Sequence, residues 1–300
     1  MTGVFQQISD ALAATVEAVS PSVVRVEARR RFPATGIVWR RDGIIVTAHH
    51  VIEQDDNIRL GLHGGQTVTA TLVGRDPTTD LAVLRTTTSE LVPPVWAEPD
   101  ASSLRVGHLT LGLGRPGQSV QATLGIISVR GENWRTPAGG LMDHYIQTDI
   151  VMYPGFSGGP LVNAAGQIVG LNTSALLRGL SLTVPVATMR RVVEALLAHG
   201  KIRRGYLGVS TQAVRLPAAL KESLQQETGL LVMTVETNSP AEQGGLLLGD
   251  VLVTMDGTPV RHPDDLLTCL SADRMHTAVL VRLVRGGQLE ERSIVIGERP

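Results

Sequence analysis

The chain is poor in cysteine and in rings. One Cys among 300 residues excludes an intrachain disulfide and a metal cage built from thiolates. Rings number only nine: three Phe, three Tyr and three Trp. An excess of charge is lacking too. Lys+Arg number 27 against 28 Asp+Glu, a net charge of −1, so there is no general pull toward nucleic acid. No apolar run reaches the ~18 residues of a membrane-spanning helix. Residues 2–20 hold neither Lys nor Arg, and Asp10 and Glu17 interrupt their apolar positions. The basic start and unbroken apolar stretch of a secretory leader are therefore missing. The expectation is a cytoplasmic protein, with the cell envelope as the alternative if a leader has been removed.

What is present is 43% hydrophobic residues on a chain long for one core, which predicts two domains. Phe5, Ile8, Leu12, Val16 and Val19 recur at three- and four-residue steps, one stripe of a helix over about 4–19 that Pro21 ends. From Ser22 the character changes to about a dozen short β-branched runs, from Val23–Ala28 through Ile44–Thr47 and Leu81–Leu84 to Leu180–Val184. Asp42-Gly43, Gly64-Gly65 and Ala165-Gly166 stand between pairs of them, where hairpins need positive φ. Such a succession predicts barrels or a sandwich. Met189, Val192, Val193, Leu196 and Leu197 then make one helical face, closed by Gly200. Lys201–Arg204 is a basic connector. A second domain over 205–297 alternates strands with helices near Pro217–Glu227 and Pro263–Ser271, the pattern of a small α+β module.

The segment most marked for chemistry is Gly155-Phe156-Ser157-Gly158-Gly159-Pro160. Glycines around a Ser allow a tight turn whose amides converge, as an oxyanion hole requires. A Ser is inert without a base and an orienting carboxylate. His49 and His50 end the apolar run Ile44-Ile45-Val46-Thr47-Ala48, and Asp80 opens the run Leu81–Leu84. The order His, Asp, Ser is that of chymotrypsin-like proteases, where the three meet between two barrels.

Here the chain resembles the HtrA/DegP group of serine endopeptidases. The stretches T-A-H-H-V, D-P-T-T-D-L-A-V-L, Q-T-D-I-V-M-Y-P-G-F-S-G-G-P-L-V-N and G-Q-I-V-G-L-N-T carry the likeness. N-S-P-A-E-Q-G-G-L-L-L-G-D-V-L-V-T-M-D-G-T-P-V is similar to the PDZ signature that follows the protease in that group. The resemblance implies a mainly β fold: a chymotrypsin-like double six-stranded barrel over 20–200, then one PDZ domain over 205–297. It implies ATP-independent cleavage of unfolded or damaged proteins. It also implies a homotrimer or a multiple of one, held by N-terminal segments. A latent protease acting as a peptide-binding chaperone or scaffold is the alternative.

By the same resemblance the family's T-x-x-H-V pattern selects His50 as base, and D-L-A-V-L selects Asp80 over Asp76, which stays a turn former beside Pro77. Ser157 is the nucleophile, with the oxyanion hole on Gly155, Phe156 and Ser157. Many members have Asn where Tyr153 and Phe156 stand, so Phe156 either narrows the site or is a tolerated loop substitution. In such barrels the residue six before the nucleophile lies at the base of the specificity pocket. That selects Val151, walled by Ile150, Leu171, Asn172 and Thr173, for aliphatic side chains on the acyl side of the cut. In the PDZ module Tyr206, Leu207, Gly208 and Val209 resemble the loop that binds a peptide C-terminus, and Leu266, Leu267 and Leu270 line the groove or its core. Cys269 reads as a small buried hydrophobe. No cofactor and no metal is expected, the remaining histidines showing no ligand spacing.

Overall fold

The computed structural model describes residues 3–88, 91–98, 104–271 and 274–298. They divide into two compact units, 1–202 and 203–300.

The first unit opens with the helix Val4–Val19, which runs into a 3₁₀ turn at Ser20–Ser22 around Pro21. Its stripe is only half used. Leu12, Val16 and Val19 pack on the barrel core, while Phe5 is 89% exposed and Ile8 is also exposed. Six antiparallel strands then close into a barrel in the order Val23–Glu27, Ala34–Arg40, Ile44–Ala48, Leu81–Arg85, Thr67–Asp76, Ile58–Gly61. Closure leaves no free edge, and the interior takes Ile37, Ile45, Leu60 and Leu84, all fully buried. Each such side chain is worth about 1.5–3 kcal/mol of burial.

The second barrel closes in the order Tyr145–Thr148, Ser181–Pro185, Ile168–Thr173, Pro160–Asn163, Leu109–Gly114, Gln121–Gly131. Tyr145–Thr148 is the strand the sequence runs do not reveal. It alternates half-exposed Tyr145 and Gln147 with buried Ile146 and Thr148 and has no β-branched run. The helix Val186–His199 lies against strands of both barrels and ends where Gly200, at φ 72°, returns its N–H to Leu196. Met189, Val192, Val193 and Leu196 complete a core shared by the two barrels.

The second unit is a sheet in the order Val209–Arg215, Thr228–Val235, Val251–Met255, Ala278–Arg285, Gln288–Val295, with the short Thr258–Pro259 paired to Val251–Met255. Helices Ala218–Leu224, Pro240–Gln243 and Pro263–Cys269 join the strands, and Gly205–Tyr206 pairs with Gly297–Glu298. Asp250, almost wholly buried, forms a two-pronged ion pair with Arg285, Oδ1–Nε and Oδ2–Nη2 both at 2.8 Å. Burial alone would raise the Asp250 carboxyl. The Arg285 guanidinium and the Leu247 N–H outweigh it and hold that carboxyl below its ordinary range.

Candidate active site

His50 and Asp80 come from adjacent strands. Ile44–Ala48 pairs with Leu81–Arg85, so the end of one strand faces the start of the other. Asp80 sits at φ 57°, a left-handed conformation that Asp tolerates better than most residues, and this turns its carboxylate back onto the histidine. One oxygen accepts the His50 backbone N–H at 2.9 Å and the other meets His50 Nδ1 at 2.8 Å. A carboxylate only accepts, so Nδ1 carries its proton there, and in the neutral imidazole Nε2 is the nitrogen with the free lone pair. Across from the second barrel, Thr173 Oγ1 donates to the same Asp80 oxygen at 2.5 Å. His49 makes no such contact among the described residues. Its Nδ1 is buried without a partner, and burial pushes its imidazole below the ordinary pKa. Asp76 accepts from Thr78 N and from the Thr78 and Thr79 hydroxyls, a turn cap.

Ser157 lies in a tightly tied loop. Tyr153-Pro154-Gly155-Phe156 is a β-turn with Pro first and Gly second among its central residues; Gly155 has φ 93°, and Phe156 N–H donates to Tyr153 O at 3.0 Å. Thr35 Oγ1 donates to Gly155 O at 2.6 Å, and Thr35 N–H donates to Ser157 O at 3.3 Å. Gly158 admits no side chain, since a Cβ there would stand 2.0 Å from Thr35 O. The amides of Gly155 and Ser157 have no acceptor among the described residues. They are free to receive an oxyanion. Phe156 is not a third donor, because its N–H already serves Tyr153 O; its expected part in the oxyanion hole is corrected. Nor does its ring reach the substrate surface. It is fully buried, edge-on to Tyr153 at 5.8 Å, and it fills the space where a Cβ on Gly114 would be 2.5 Å away.

His50, Gly155 and Ser157 open onto one cleft of about 320 Å³, together with Met152, Tyr153 and Ser174. Ser174, which the sequence reading did not single out, places its Oγ 3.3 Å from Ser157 Oγ. It directly follows the G-L-N-T stretch, which was the available signal. The expected specificity pocket is not assembled. Val151 is 53% exposed and cannot form the base of a pocket. Ile150 packs in the second barrel's core against Gly112 and Gly125, and Leu171 belongs to the shared core. Asn172 is buried, donating to Pro160 O and accepting from Thr183, and Thr173 holds Asp80. Met152 and Tyr153 are the residues of that stretch that reach the cleft.

In the second unit Gly208 has φ 82°, and the amides of Leu207 and Gly208 have no acceptor among the described residues. Tyr206 Oη donates to Glu236 at 2.5 Å, and Val209 starts the sheet's edge strand. Leu266 and Leu270 are buried in the core of this unit, the second of the two readings of these leucines. Leu267 is exposed. Burial pushes the Cys269 thiol above its ordinary pKa.

Residues 34–171 match the trypsin-like peptidase domain and residues 205–296 the PDZ domain. Among solved structures, an HtrA-type protease, AlgW with tripeptide, superposes with a TM-score of 0.77 at 30% identity, covering 96% of this chain and 97% of that one. The chain belongs to the HtrA family. The serine endoprotease from Yersinia pestis gives a TM-score of 0.79 at 27% identity over the full length of both chains. A probable periplasmic serine endoprotease, DegP-like, of Chlamydia trachomatis is 34% identical over 282 residues, covering 92% of this chain and 56% of the relative. The counterpart in Pseudomonas putida is 34% identical over 272 residues, covering 89% and 56%. The chain thus spans about half the length of the curated relatives it matches. These HtrA relatives are named periplasmic, which overturns the cytoplasmic expectation drawn from residues 2–20.

Proposed function

We propose that this HtrA chain is an ATP-independent serine endopeptidase of the cell envelope that hydrolyses peptide bonds in unfolded or damaged proteins. The observation that carries the reading is the His50 Nδ1 contact to Asp80 at 2.8 Å beside a cleft that also holds Ser157. In the reaction His50 Nε2 takes the Ser157 hydroxyl proton as Oγ attacks the substrate carbonyl. Asp80 holds the imidazole in that tautomer and stabilises the imidazolium that forms. The negative charge on the carbonyl oxygen is received by the Gly155 and Ser157 amides. The imidazolium then protonates the leaving amine, and water, activated by the same imidazole, releases the acyl chain.

The PDZ unit takes an extended peptide C-terminus. Its support is the pair of free amides at Leu207 and Gly208 beside the edge strand Val209–Arg215. Two AlgW structures, complexes with a decapeptide and with a tripeptide, agree with peptide as the ligand class. The unused half of the N-terminal helix, with Phe5 exposed, supports assembly into a homo-oligomer. Casein digestion by the wild type, set against Ser157→Ala, tests the central reading. Equal, negligible digestion by both would replace it with a peptide-binding scaffold.

A further inference from the structure

The loop that joins the first two strands of the first barrel reads Ala28-Arg29-Arg30-Arg31-Phe32-Pro33. Arg29, Arg31 and Phe32 line the catalytic cleft. Arg29 Nε donates to Phe32 O, which folds the loop back on itself and keeps the guanidinium at the cleft wall. Among the described residues none of the three arginines has a carboxylate within 4.0 Å. Elsewhere in the same unit Arg25 pairs with Glu27, Arg75 with Asp55 and Arg191 with Asp143. One acid, Glu53, shares the lining; the Glu53 and Gln54 amides donate to Ala28 O at 3.0 and 3.3 Å. The wall therefore carries two unpaired cations against one anion, next to an exposed ring.

Position decides which part of a substrate meets that wall. The loop leads into Thr35, whose hydroxyl is bonded to Gly155 O, so the arginines flank the Gly155 side of the nucleophile. Ser174 and the end of the strand Ile168–Thr173 stand by Ser157 from the second barrel. A substrate whose acyl part follows that strand end sends its leaving part past Gly155 toward Arg29 and Arg31. We propose that Arg29 and Arg31, with Phe32 beside them, form a subsite that selects acidic side chains within the first three or so residues after the scissile bond. The subsite rests on the endopeptidase reading. Asp or Glu there gains an ion pair in a cleft that offers it few competitors, whereas Lys or Arg meets like charge.

The test takes a peptide whose cut site under the wild type has been located by mass spectrometry. Each of the first three positions after the cut is varied among Asp, Asn and Lys, and kcat/KM is measured by fluorescence dequenching. The Asp peptide is expected to exceed the Asn peptide about fivefold at the responsive position, the size of an exposed ion pair. The Lys peptide falls below both. In Arg29→Gln/Arg31→Gln the Asp-to-Asn ratio drops toward one. It drops likewise in the wild type at ~1 M salt, where the screening length is about 3 Å. The single variant Arg31→Gln, at an exposed position, supplies the same ratio if the double variant folds poorly. Equal rates for Asp and Asn at all three positions, or a preference that survives both variants, overturn the subsite while leaving the protease intact. Cleavage no faster than that of Ser157→Ala defeats the endopeptidase reading, and the subsite falls with it.

Discussion

Removing the ring of Phe156 is the sharpest perturbation available at the Tyr153–Phe156 turn that precedes Ser157. That ring is fully buried against Gly114 and edge-on to Tyr153, and its own amide and carbonyl bond Tyr153 O and Gly159 N. A buried Phe→Ala change costs about 3–5 kcal/mol in lost transfer and residual cavity. The backbone bonds of the turn and the Thr35–Gly155 link survive it, so only part of that cost falls on the turn. If about 1.4–4 kcal/mol does, the working geometry is lost by ten- to a thousandfold. The upper end matches the removal of one oxyanion donor. Phe156→Ala is therefore expected to lower kcat by ~10–10³ with KM changed no more than about twofold, since the donors act on the transition state. Steady-state cleavage of a quenched peptide, well below the melting temperature, reads both constants. Labelling of Ser157 by an organophosphonate should slow in parallel. Gly114→Ala, whose new Cβ would press on the same ring, should mimic the effect, and the double variant should fall short of additivity. A lowered melting temperature with kcat unchanged would show that the ring stabilises the barrel and does not position the turn.

Other expectations follow from the same structure. His50→Ala should lose about 10³-fold or more in kcat/KM while His49→Ala keeps activity within a few-fold; the reverse pattern in a peptide assay would mean the base is misassigned. Asp250→Asn should destabilise the PDZ unit by about 3 kcal/mol, because it breaks a buried ion pair. The Asp250 carboxyl is depressed in the folded state, so its stabilisation is fully present above about pH 4 and fades as pH falls through the folded pKa. Denaturant melts at pH 7 and pH 3 should show the gap between wild type and variant shrinking in acid, and a constant gap would refute this. Deleting residues 1–19 should lower the assembly mass in light scattering together with activity. An unchanged mass would remove the helix from the interface.

Legibility differed between strands, backbone and pockets. β-branched runs and Gly-containing turns are local, so the barrel strands stood out, and the helices Val4–Val19 and Val186–His199 followed from apolar spacing. Tyr145–Thr148 was hidden because a half-exposed strand with Gln147 carries little signal. The His50, Asp80 and Ser157 motifs were visible as residue types in order. Which amides of the turn are free was not, since that depends on the bond from Phe156 N–H to Tyr153 O. The pocket failed for a related reason. Val151 and Thr173 are suited by composition to an aliphatic wall, yet long-range geometry exposes one and aims the other at Asp80.

The hydrogen bond from Thr173 to Asp80 crosses from one barrel to the other, and this has a temporal consequence during synthesis. The first barrel ends its last strand at Arg85 and already contains His50 and Asp80. The segment with Ser157, Thr173 and Ser174 follows it in the chain. At ~5–20 residues per second, seconds separate the synthesis of the first barrel's last strand from that of Ser157. On the proposed triad, a product cut short before Ser157 carries a base and its carboxylate but no nucleophile, and is inert. On that reading competence waits for the second barrel, which brings Ser157 to the cleft and Thr173 to Asp80.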